Sequence, residues 1–171
     1  NFELNFSNFI IVNFSHNDFE QVPNSILSEL NNFIIELNIS NNPIVEIPNN
    51  INNVGSSTQA GLNFLNISYL NLPPNYELPE TLFDNSYLGF VNDGSLANIN
   101  CPEDEIQGEN MYCFKGLSEL NLSGNEGITW NAEKMENSGM YELFLNDNNY
   151  ETIPSLLSKI LRILHLDNNN L

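Results

Sequence analysis

The sequence predicts an α/β solenoid: stacked coils that each give one short strand to a parallel sheet, with irregular or short helical segments on the opposite side. Two observations predict it. The first is a tandem pattern near the C-terminus that reads apolar, two free, apolar, one free, apolar, two free, Asn. LSELNLSGN sets it at Leu117, Leu120, Leu122 and Asn125, MYELFLNDNN at Met140, Leu143, Leu145 and Asn148, and LRILHLDNNN at Leu161, Leu164, Leu166 and Asn169. The second is the same frame near the other end, at Phe9, Val12, Phe14, Asn17 and Phe19 and again at Ile34, Leu37, Ile39, Asn42 and Ile44.

Each part of the frame has a physical reading. A pair such as Leu120-x-Leu122 has the period of a strand with one face inward. The Asn that follows suits a sharp corner, because it tolerates unusual backbone angles and its amide can bond backbone groups that the turn leaves unpaired. Stacking would align these amides in a ladder. One coil cannot bury its apolar face alone, so the pattern makes sense only as a stack.

From the N-terminus, Asn1 to Asn8 alternate as Phe2, Leu4 and Phe6, which suits a strand at the edge of an earlier coil or a cap. Pro23, Pro48 and Pro154 each fall six residues after a corner Asn. Apolar residues follow at spacings near three or four (Ile26, Leu27, Leu30; Ile51, Val54; Leu157, Ile160), which predicts short helical turns on the outer side. A further copy at Leu62, Leu65, Ile67 and Leu72 has Leu70 in place of the corner Asn, so its ladder rung is missing. A weaker copy is read at Leu88, Phe90, Asp93 and Leu96. Residues 98–112, with Pro102, Gly108, Glu103, Asp104, Glu105 and Glu109, read as an irregular loop projecting from the stack. The chain is therefore expected to be a single solenoid over residues 1–171, interrupted by that loop. Leu171 stops on the last apolar position of a repeat, which leads to the expectation of a segment of a longer chain or assembly, with self-association at the solenoid ends.

The frame L-x-x-L-x-L-x-x-N-x-L resembles the leucine-rich repeat, and the Pro offset resembles its "typical" subclass. The resemblance implies a horseshoe with a strand-lined concave face and an irregular or short helical convex face. It also implies a non-enzymatic protein-protein interaction module that binds through the concave face, without naming a partner.

Composition narrows the classes further. The 22 acidic residues stand against 4 basic ones for a formal net charge of -18, which repels phosphate backbones and anionic lipid surfaces. Nucleic acid is therefore an unexpected partner. No apolar run approaches the roughly 20 residues of a membrane-spanning helix, so no membrane insertion is expected in this segment. Asn makes up about a fifth of the chain. Acidity with Lys nearly absent leans the chain towards a secreted or cell-surface protein.

Cys101 and Cys113 bracket the acidic loop and read either as a disulfide or as two free thiols. Asn-x-Ser sequons at Asn5, Asn13, Asn38, Asn66 and Asn121 read either as N-glycosylation sites of a secreted chain or as a polar column beside Ser15, Ser40, Ser68 and Ser123. Only two histidines occur, and the stack sets His16 and His165 on the order of 25 to 30 Å apart, too far to share an active site. No catalytic residue, cofactor or metal is expected; the Asp and Asn strings lack the carboxylate spacing of a calcium loop.

The partner-binding candidates are the outward positions of the strand face: His16, Glu36, Phe64, Tyr69, Glu119, Tyr141, Glu142, Phe144, Asp147, His165 and Asp167, with Ile11 and Arg162 beside them. Aromatics supply contact area at low entropic cost, and carboxylates select a basic or hydroxyl-rich protein partner. The competing functions are a structural, self-assembling extracellular subunit and a carbohydrate or surface-ligand binder.

Overall fold

The structure is a computed structural model, and it describes residues 11–27, 34–51, 62–83, 87–90, 96–97, 112–115, 117–155 and 157–171. Six strands of three residues carry the architecture: β1 (Ile11–Asn13), β2 (Glu36–Asn38), β3 (Phe64–Asn66), β7 (Glu119–Asn121), β8 (Glu142–Phe144) and β9 (Ile163–His165). They pair in parallel in the order β1-β2-β3-β7-β8-β9. The register is unbroken, so Val12, Leu37, Leu65, Leu120, Leu143 and Leu164 form one column through the sheet. This is a parallel β-solenoid, a stack of coils with one strand each.

The alternation seen in the sequence explains the layering. The central residue of each strand faces inward, and Leu37, Leu65, Leu120 and Leu143 are fully buried. Ile39, Ile67, Leu122 and Leu145 make the next inward column, also fully buried. Each buried aliphatic side chain in these two columns contributes about 1.5–3 kcal/mol to holding the coils together. Just beyond them every coil takes one residue in the left-handed region: His16, Asn41, Tyr69, Gly124, Asp147 and Asn168, with φ between 51° and 69°. The strand thereby ends and the chain turns the corner.

The corner Asn follows, and it bonds backward. Asn42 Nδ2 donates to Phe14 O of the preceding coil at 2.9 Å and to Ile39 O of its own at 2.9 Å, while its Oδ1 accepts from Phe19 N–H at 3.1 Å. Asn125 reaches Ile67 O at 3.0 Å and Leu122 O at 2.9 Å, and Asn169 reaches Leu145 O at 2.8 Å and Leu166 O at 2.9 Å. Asn125 Oδ1 accepts the N–H of Leu70 at 3.2 Å, so the coil that lacks its own rung is held by the next one. Asn148 makes the weakest rung. Its donations to Leu122 O and Asn146 O measure 3.3 and 3.2 Å, and its buried Oδ1 has no partner among the described residues.

The structure corrects the leucine-rich-repeat reading and the α/β horseshoe with a helical convex face that came with it. Strand and helix do not alternate. Among the described residues the helical elements are α1 (Asn24–Leu27), α2 (Ala132–Glu136) and a 3-10 turn at Glu80–Phe83. Of the helical turns expected on the outer side, the one at Ile26 and Leu27 is present as α1, whereas Ile51 is buried, together with Ile44 and Ile47, from a segment that is extended and then turns. Pro43 and Pro48 stand within that segment, where each removes an N–H and opposes a helical turn. Segments this short are also too short to nucleate a helix on their own. Leu157 and Ile160 likewise lie outside any helix, and Leu30 and Val54 lie outside the described residues.

The segments on either side of the expected loop pair with each other. Strands β4 (Tyr87–Phe90), β5 (Leu96–Ala97) and β6 (Tyr112–Lys115) make a separate antiparallel sheet in the order β5-β4-β6. The coil read at Leu88 and Phe90 is therefore not a coil of the stack: Leu88 pairs with Phe114 and Phe90 with Tyr112, antiparallel. In the main sheet β3 pairs directly with β7, so the solenoid closes over the whole excursion. The body of the loop at 98–111, including Cys101, lies outside the described residues, and Cys113 is described only as part of β6; the Cys101–Cys113 alternatives fall there.

Candidate functional site

The exposed face of the parallel sheet consists of two rows that the register aligns. The first residues of the strands are Ile11, Glu36, Phe64, Glu119, Glu142 and Ile163, and the third residues are Asn13, Asn38, Asn66, Asn121, Phe144 and His165. Glu36, Phe64, Glu119, Glu142, Phe144 and His165 thus share one surface. His16, Tyr69, Asp147 and Asp167 do not belong to it. They sit past the strand ends, at or beside the left-handed corner, and Tyr141 precedes β8 and is 42% exposed.

Much of the Asn row is structural. Asn38 Oδ1 accepts both the N–H (3.1 Å) and the hydroxyl (2.7 Å) of Ser40, and Asn66 does the same with Ser68 at 3.1 and 2.7 Å. Asn13 bonds Ser15 in the same way at 2.9 and 2.7 Å, and Asn121 accepts from Ser123 N–H at 3.0 Å. These are side-chain turns that close the end of each strand, and they give the Asn-x-Ser strings a physical role of their own. Asn5 lies outside the described residues.

The Glu row is crowded with like charge. Burial holds the carboxyl of Glu119 above its ordinary range, and the neighbouring charges of Glu142 and Glu36 push the same way. Glu142 has a partner: His165 Nε2 lies 2.9 Å from its Oε1. The imidazole also stacks flat on Phe144, with centroids 4.2 Å apart and planes 2° from parallel. Between Glu36 and Glu119 the sheet opens into a shallow hollow lined by Ile35, Glu36, Asn63, Phe64 and Glu119.

The corner residues build a second constellation. Tyr69 extends across Gly124 of the next coil, and its hydroxyl donates to Asp147 Oδ2 at 2.5 Å; Asn168 Nδ2 donates to Asp147 Oδ1 at 2.7 Å. Gly124 is required there, since a Cβ would stand 2.1 Å from the Tyr69 ring. The bonds from Tyr69 and Asn168 hold the Asp147 carboxyl below its ordinary range, and the same bond raises the Tyr69 hydroxyl. Sequence reasoning missed Gly124 and Asn168; the signal was a Gly at a position where the flanking coils carry Tyr69 and Asp147.

Among the described residues no group of three or more His, Cys, Asp or Glu side chains could hold a metal ion, and no helix is long and apolar enough to cross a membrane. His16 and His165 belong to coils at the two ends of the sheet order. The arrangement offers hydrogen-bond acceptors, negative charge and aromatic faces. No protein-family model matches the chain, and neither does any curated protein.

Proposed function

We propose that this chain is a non-enzymatic binding module that holds a protein partner of basic character against the exposed face of its parallel sheet. The observation that carries the reading is the in-register alignment of Glu36, Phe64, Glu119 and Glu142 beside Phe144 and His165. Each Asn of the neighbouring row closes its own coil, whereas Phe64 and the carboxylates of Glu36 and Glu119 perform no such structural duty among the described residues. Aromatic anchors bordered by charge are what a protein-binding surface uses for contact area and for orientation.

The test is capture of a native partner by the intact protein and by two sets of variants. Phe64→Ser with Phe144→Ser alters the sheet face, and Val45→Ser with Ile153→Ser alters exposed apolar residues outside the sheet, at 55% and 61% exposure. The first pair is expected to abolish capture and the second to leave it intact. Capture lost only with the second pair would place the interface elsewhere and end this reading.

A further inference from the structure

The hollow at the centre of the sheet face has a shape and charge that favour one kind of occupant. Phe64 lies in the strand between those of Glu36 and Glu119, directly opposite both in the register. With strands spaced about 4.8 Å apart, the two glutamate α-carbons stand roughly 10 Å from each other with the phenyl ring between them. Ile35 and Asn63, each one residue before its strand, complete the lining. Among the described residues neither carboxylate has a basic side chain against it: Lys159 pairs with Glu136, and His165 pairs with Glu142. Uncompensated like charge flanking an accessible aromatic ring is costly to the free protein and favourable to a cationic guest.

We propose that this hollow receives the guanidinium of an arginine side chain carried by the protein partner, stacked on Phe64 and bonded by Glu36 and Glu119. The proposal rests on the sheet face being the binding surface. Charge complementarity selects the occupant, because a chain with a net charge of -18 attracts a cation and repels phosphate or carboxylate ligands. Arginine fits better than lysine. Its planar cation lies flat on an aromatic ring and presents N–H groups along its edges to carboxylates on either side, whereas an ammonium makes a point contact. A sugar could donate hydroxyls to the same carboxylates, yet it would leave their charge uncompensated.

The experiment titrates the intact protein with the capped tripeptide acetyl-Ser-Arg-Ser-amide and with its lysine and citrulline counterparts. Binding is read from the NMR shifts of the Phe64 ring and of the Glu36 and Glu119 carboxyl carbons. The arginine peptide is expected to move all three signals and to bind about ten-fold tighter than the neutral citrulline isostere, a difference of about 1.4 kcal/mol. Glu36→Gln with Glu119→Gln is expected to weaken it about ten-fold, whereas Glu77→Gln with Glu126→Gln, which removes the same charge at exposed positions, changes it less than about two-fold.

Equal losses in the two variants would reduce the effect to long-range attraction and overturn the proposal. So would an unmoved Phe64 signal, or maltotriose shifting these signals where the arginine peptide does not. If the arginine peptide fails while capture of the native partner still depends on Phe64 and Phe144, the arginine subsite falls and the sheet-face reading stands. If capture is also independent of those residues, both fall.

Discussion

The Asn ladder supplies a sharp test of how this solenoid is held together, because its rungs are unequal. In Asn125→Ala the N–H of Leu70 loses its acceptor and Ile67 O loses its donor, while Leu122 O keeps the Asn148 amide. Two buried groups are thus left unpaired, and at about 1–3 kcal/mol for each the expected cost is about 3 kcal/mol. In Asn148→Ala no N–H is released, because Asn148 Oδ1 accepts nothing among the described residues. Leu122 O retains Asn125 and Asn146 O retains the N–H of Gly124 at 2.9 Å, so no group loses its only partner and the expected cost is about 1 kcal/mol or less. Asn146 also joins neighbouring coils, since its Oδ1 accepts the N–H of Asp167 at 3.0 Å. Urea denaturation of the two alanine variants would show the difference as separate midpoints at a common slope. Equal midpoints, or a larger loss in Asn148→Ala, would mean that the corner amides do not stabilise through these bonds.

Gly124→Ala is expected to destabilise by at least about 2 kcal/mol, since the new Cβ meets the Tyr69 ring and the backbone there has φ of 69°. Adding Tyr69→Ala should relieve the steric share, so a double-mutant cycle with no coupling would contradict the observed approach. Asp147 has a folded-state carboxyl held below its unfolded range, so its contribution is present above the unfolded value and is lost as pH falls through the folded one. Asp147→Asn should therefore flatten the acid side of the stability profile, and an unchanged profile would refute the Tyr69–Asp147–Asn168 bridge. Glu119 runs the opposite way: its carboxyl is raised, its ionisation opposes folding, and Glu119→Gln should be more stable than the native protein at neutral pH. That gain should vanish below the unfolded carboxylate range, and calorimetry across that range would measure it.

The sequence by itself determined the inward and outward positions of each strand, because a period of two leaves little freedom once Leu37, Leu65, Leu120 and Leu143 must share a core. It also marked the corner, where Asn42, Asn125 and Asn169 recur at one offset and bond as a ladder. The same alternation places Glu36, Phe64, Glu119, Glu142, Phe144 and His165 on one face, but it assigns His16, Tyr69, Asp147 and Asp167 to that face too, and these sit at the corner past the strand ends. Three matters were left to tertiary structure. Apolar residues three or four apart are equally served by a helix or by an extended, turning path against a core; α1 takes the former at Ile26 and Leu27, and packing beside Pro43 and Pro48 selected the latter for the next coil. Leu88 and Phe90 carry the local pattern of a coil, but a strand's partner is chosen by long-range pairing, and β4 joins β5 and β6 instead of the stack. The reach of Tyr69 over Gly124 to Asp147 joins residues far apart in the chain whose proximity exists only because β3 lies beside β7. Local periodicity specifies which way a side chain faces; which coils become neighbours depends on the free energy of the whole stack.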